Sequence, residues 1–164
     1  MNRMELALHE LSLTFDKEGW FPPLREALNG LSAAQASWRP SGEAANTIWE
    51  TVTHMLFYKE RLLQRIRGNE PAQPAASNDD TFVVQAAPDD DEAWHQTVAR
   101  AERIHRELTE ALAQLTDGDF DRPLHANQLG LSLFDILMHD AFHTGQIVQL
   151  RKLQGSWPAR RSFE

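Results

Sequence analysis

The chain is 164 residues long, 41% hydrophobic and 24% charged, a length and balance that suit one packed domain and exclude wholesale disorder. Its net charge of -8 disfavours the phosphate attraction behind nucleic-acid binding and equally disfavours an anionic membrane surface. With no cysteine, disulfides, thiolate metal sites, iron-sulfur clusters and cysteine nucleophiles are excluded, so any metal must be held by His, Asp, Glu or backbone.

The opening MNRMELALHELSLTF sets acids among its apolar residues and lacks the basic start, apolar run and small-residue cleavage site of a secretory signal. No stretch approaches the ~20 apolar residues of a membrane span. The expectation is a cytoplasmic protein, a single unit over 1–164, engaging neither membrane nor nucleic acid. Arg160-Arg161 in the tail is too little basic surface to change that.

Four stretches carry helical spacing. The first, about 4–29, places Met4, Leu8, Leu11 and Phe15 on one stripe. Pro22-Pro23 must kink it or force a restart, because two prolines cannot both sit inside a helix. The second, about 48–67, follows Thr47-Ile48-Trp49-Glu50 and stops at Gly68. A hydroxyl three residues before an acid is the pattern of a capping box. The third, about 89–115, opens on acids that suit a helix N-terminus and repeats Trp94, Val98, Ala101, His105, Leu108, Leu112 and Leu115 along one face. The fourth, about 133–154, opens on Ser132-Leu133-Phe134-Asp135, a second apparent capping box, and stops at Gly155.

Thr81-Phe82-Val83-Val84 is the only short β-branched run, and one run cannot build a sheet. The spacing therefore predicts an all-α protein, a four-helix bundle, with its connectivity open. The 69–88 link is long enough to be a functional flap or crossover.

His139 and His143 lie four residues apart among Ile136, Phe142, Ile147 and Leu150, so one helix face would carry both imidazoles within reach of one ion. His54 falls seven residues after Thr47, as His139 does after Ser132, and supplies a third candidate ligand. Three imidazoles would leave a divalent ion an open position, as at catalytic sites. The alternative is three core or surface histidines in a bundle that serves as a binding or stress-response protein, with a structural or adventitious metal. An open pocket beside Trp49 or Tyr58 would favour the first reading, and a sealed core the second.

Other residues are candidates for orienting a ligand or contacting a substrate: Glu50, whose capping position gives it another role, Tyr58, one turn beyond His54, and Gln146. Asp140 reads as part of a solvated helix face. Glu92-x-x-His95 and Glu102-x-x-His105 echo the motif of di-iron bundles, but ten residues on one helix set the copies about 280° apart, so they cannot share a site. His9 and His125 have no evident partner. No Gly-x-Ser-x-Gly elbow or Gly-rich phosphate loop is present, which removes the corresponding hydrolases and nucleotide folds.

Three features together, Leu31-Ser32-Ala33-Ala34-Gln35-Ala36-Ser37-Trp38-Arg39-Pro40, His54 after Thr47-Ile48-Trp49-Glu50, and His139-x-x-x-His143-Thr144-Gly145-Gln146-Ile147, resemble the DinB/YfiT-like superfamily of four-helix-bundle metalloenzymes. The resemblance runs from the first helix to about Gly155. It implies that His54, His139 and His143 hold a divalent ion, and imidazole ligands do not discriminate among Zn, Ni and Fe. It also implies a homodimer and the metal-dependent transfer of a low-molecular-weight thiol. An ion with an open position lowers the pKa of a bound thiol or water, and a chain without cysteine must borrow its thiol.

Overall fold

A computed structural model describes residues 1–42, 44–72 and 75–160. Four long helices, α1 (Arg3–Phe15), α4 (Ile48–Ile66), α5 (Asp91–Ala113) and α6 (Leu129–Leu153), are joined by two short ones, α2 (Leu24–Leu28) and α3 (Ala33–Ala36). A two-stranded antiparallel hairpin, β1 (Pro123–Leu124) with β2 (Asn127–Gln128), leads into α6. Helices α1 and α4 each pack against both α5 and α6, which closes the expected four-helix bundle.

Neighbouring contacts fix the directions. Arg3 pairs with Asp117 and the Phe15 ring stacks on His105, so α1 runs against α5. His54 meets His143 while Lys59 meets Asp140, so α4 runs against α6. The Trp49 indole N–H donates to Thr97 Oγ1 at 3.0 Å, Arg100 pairs with Glu60 and Arg67 with Glu107, so α4 and α5 run the same way. The chain must therefore travel back along the bundle between them, about 28 Å for the 19 residues of α4. The 69–88 link makes this return.

The expected first helix is two helices: α1 ends at Phe15, and Pro23 caps the new start at Leu24, because neither proline can donate the N–H that a continuous helix needs. Helix α3 was not expected. Ser32 and Gln35 form its capping box, Trp94 Nε1–H donates to the Leu31 carbonyl at 2.8 Å, and Ala33 N–H donates to Asp91, which ties this segment to the start of α5. Thr47 and Glu50 form the expected box on α4, and Gly68 ends the turn after it at φ 77°, a left-handed conformation that favours glycine.

The start of α6 differs from expectation. It begins four residues earlier, at Leu129, and Gln128 rather than Ser132 precedes it, without a side-chain cap. The reason is packing. Leu129 is buried, and Gly130 lies under Phe120 so closely that a Cβ there would meet the ring at 2.1 Å. Burying these residues outweighs the roughly 1 kcal/mol of a hydroxyl cap. Thr81 and Phe82, expected in an extended run, belong instead to a 3-10 turn spanning Asp79–Phe82 that packs on α4.

The core has two apolar clusters. One gathers Phe15, Leu24, Trp49, Trp94, Ile104 and Ile147, and the other Met4, Leu63, Leu108, Leu112, Phe120 and Leu133. On α4, α5 and α6 the buried polar residues Lys59, His105 and Asp140, one on each, fall between the two sets. The 3.6-residue period turns these residues inward, and their order along the helices gives two apolar layers with a polar one between them.

Candidate metal centre

Two helices bring three imidazoles together. His54 projects from the second turn of α4, and His139 and His143 project from one face of α6. The ring centroids are 4.4 Å apart for His139 and His143, 4.9 Å for His54 and His139, and 4.8 Å for His54 and His143. The Nε2 atoms of His54 and His139 are 2.9 Å apart, and one nitrogen from each ring lies within 4.8 Å of the others. Metal–nitrogen bonds of about 2.0–2.1 Å separate adjacent ligands by about 2.9–3.4 Å. The closest pair already meets that spacing.

The protonation states also suit a metal. Burial first, and then the neighbouring histidines, push His54 down to about 4. Burial is likewise the main cause that lowers His139 and His143. All three rings are therefore neutral at pH 7, the form in which imidazole binds metal.

The tautomers follow from the partners. The Thr81 hydroxyl donates to the Asn78 carbonyl, so its oxygen is left to accept from His54 Nδ1–H at 2.6 Å. Nε2 of His54 then carries the lone pair. Gln146 Oε1 accepts from His143 Nδ1–H at 2.7 Å, which frees Nε2 of His143 in the same way. His139 Nδ1 is buried and has no partner among the described residues. Its Nε2–H donates to His54 Nε2 until something displaces that bond. Such outer hydrogen bonds are how metal-binding histidines are held. The residues present fit a divalent ion.

The cluster lies on the wall of an open cavity of about 820 Å³. Tyr58 lines it as well; its ring is 5.5 Å from that of His139, and its hydroxyl donates to Asn78 Oδ1 at 3.0 Å. Phe82 stacks flat on His54 at 3.9 Å. The return link thus covers one side of the site with Asn78, Thr81 and Phe82. None of these three was legible as a site residue, because their position depends on where the link crosses.

The structure places the remaining candidates elsewhere. Glu50 does not line the cavity: it accepts from Thr47 N–H at 2.7 Å and pairs with Arg39. Trp49 lies in the core against Trp94. Asp140 is not on a solvated face but is fully buried, with Oδ2 2.6 Å from Lys59 Nζ. Phe142 is 63% exposed although it neighbours the inward-facing His143. Glu92, His95, His9, His125 and Arg160 are exposed, whereas His105 stacks on Phe15 inside the bundle. Arg161 lies outside the described residues.

Among the described residues no helix is long and apolar enough to cross a membrane. Comparison with curated proteins and with solved structures gives no match. Residues 22–147 match the DinB superfamily, a span that contains all three histidines. With the helical fold and the histidine cluster already in place, this match makes the chain a member of the DinB superfamily.

Proposed function

We propose that His54, His139 and His143 hold one divalent ion, zinc, nickel or ferrous iron, and that the chain is an enzyme that transfers a low-molecular-weight thiol, or water, to a small electrophile. The observation that carries this reading is the set of neutral imidazoles, two with Nε2 freed by Thr81 and Gln146, facing an open cavity rather than a sealed core.

When bound, the ion would lower the pKa of a thiol or water in its open position, so that the anion forms near neutral pH. The protein's own residues do the rest. Thr81 and Gln146 fix the rings of His54 and His143. Phe82 and the 3-10 turn shield the His54 side from water. Tyr58, at the cavity wall, has a hydroxyl within reach of a bound molecule. In the transfer, sulfur or oxygen forms a bond to the electrophilic carbon, and the leaving group departs with the bonding pair.

Elemental analysis of protein prepared without an affinity tag or added metal tests the first half. About one ion per chain is expected, and His139→Ala should lose it while keeping its helix content, because the apolar layers supply most of the stability. Undiminished metal in that variant overturns the assignment. In the cobalt-substituted protein, added thiols should perturb the visible spectrum; silence across several thiols would overturn the thiol half.

A further inference from the structure

Beyond the three histidines, the cavity has a second chemically distinct end. His54, Tyr58, Arg61 and Arg65 recur at three- or four-residue spacing on α4 and all line it, so one strip of the helix leads from the imidazoles to two guanidinium groups. Arg61 and Arg65 start about 10 and 16 Å further along the axis than His54, and their side chains lean back toward the N-terminus of α4.

These two are the arginines that line the cavity; like Arg106, Arg122, Arg151 and Arg160, which lie away from it, they have no carboxylate partner among the described residues. Arg3, Arg25, Arg39, Arg67, Arg100 and Arg103 each pair with a carboxylate. Arg61 and Arg65 pair with none among the described residues, in a chain of net charge -8. The Arg61 guanidinium is 5.3 Å from the Phe57 ring centre and gives one N–H to the Ala72 carbonyl at 2.8 Å, its one hydrogen bond among the described residues. Arg65 Nε is buried and has no acceptor among the described residues. Two like charges one turn apart repel each other, and an unmet buried donor costs stability. One bound anion would relieve both. Among the described residues Asp135, which is exposed, is the only carboxylate in the lining, and it pairs with neither arginine.

We propose that Arg61 and Arg65 form a carboxylate-binding subsite, and that the small molecule brought to the histidines is an anion held at this end. The subsite rests on the reading that a small molecule reacts at the histidines, but its anion binding is separable from metal. A guanidinium fork matches a carboxylate in two parallel hydrogen bonds, with geometric selectivity that an ammonium lacks. The carboxylate could belong to the thiol or to the electrophile.

The test titrates the metal-free 164-residue chain with glutarate and with the uncharged glutaramide by calorimetry. Glutarate is expected to bind and glutaramide not to. Arg65→Gln should weaken glutarate at least about tenfold, and Arg65→Lys should recover only part of the loss. Equal binding of the two compounds, no binding of either, or a glutarate affinity unchanged in both Arg61→Gln and Arg65→Gln overturns the subsite. The comparison of compounds on the unmutated chain needs no variant to fold. Metal content, measured separately, is expected to be the same in Arg65→Gln, so a failed metal assignment and a failed anion subsite give different results. In the metal-loaded chain, 3-mercaptopropionate against 3-mercaptopropionamide locates the charge: preference for the acid assigns it to the thiol, and indifference to the electrophile.

Discussion

Lys59 and Asp140 face each other from α4 and α6 with 2.6 Å between Nζ and Oδ2, and both side chains are shut off from solvent. Lys59 Nζ also lies 5.3 Å from the centre of the Phe15 ring. The pair sits one residue from His139 and between the two apolar clusters. Removing one partner strands a buried charge, which typically costs about 3–5 kcal/mol, whereas replacing both by apolar residues of similar volume is often neutral or stabilising. Asp140→Ala should accordingly lower the denaturant midpoint severely, while the double replacement Lys59→Met with Asp140→Leu should return it close to that of the parent. A double variant as unstable as the single one would show that the pair contributes more than mutual neutralisation.

Among the described residues, Thr81 is the one contact through which the return link sets a tautomer in the site. Thr81→Val keeps the shape and removes the oxygen that accepts from His54 Nδ1–H. Metal affinity, measured by competition with a chromogenic chelator, should fall about 10- to 100-fold, with helix content unchanged. Thr81→Ser should bind as the parent does. If Thr81→Val binds metal equally well, the hydroxyl has no part in holding His54.

His105 offers a pH test away from the cavity. Buried against Phe15, it is pushed down to about 4, chiefly by desolvation and then by Lys59. In the unfolded chain it takes a proton near 6.5. The unfolded state therefore binds more protons between these values, and the stability tied to neutral His105 is complete above about pH 6.5 and is lost as pH falls toward 4. At pH 5 the loss from this one group is about 2 kcal/mol. His105→Phe, which keeps a stacked ring, should reduce the fall in denaturant midpoint between pH 7 and pH 5. An unaltered fall would place the acid sensitivity in other groups.

The fold and half of the site could be read from periodicity because they depend on local spacing. The stripe from Trp94 to Leu115 and the His139–His143 pair are set by the pitch of a single helix. The capping box at Thr47 and Glu50 is likewise complete within four residues. The start of α6 misleads, since Ser132 has the spacing of a cap but Leu129 and Gly130 are held by Phe120, a contact made by the preceding loop. Asp140 misleads for the same kind of reason: its partner Lys59 lies on another helix, so its own neighbours in sequence mark it as a surface residue. Thr81 and Phe82 are invisible as site residues until it is known that α4 and α5 run the same way.

That shared direction has a consequence in time. The bond from His54 to Thr81 spans 27 residues, and the one from His54 to His139 spans 85. Contacts so far apart in sequence form after local helices, because a long loop must close before either is gained. During synthesis, a chain extended through α5 has one of the three imidazoles, and the other two follow only with α6. An ion held by all three rings would therefore require that α4, the second long helix, has already met α6, the last.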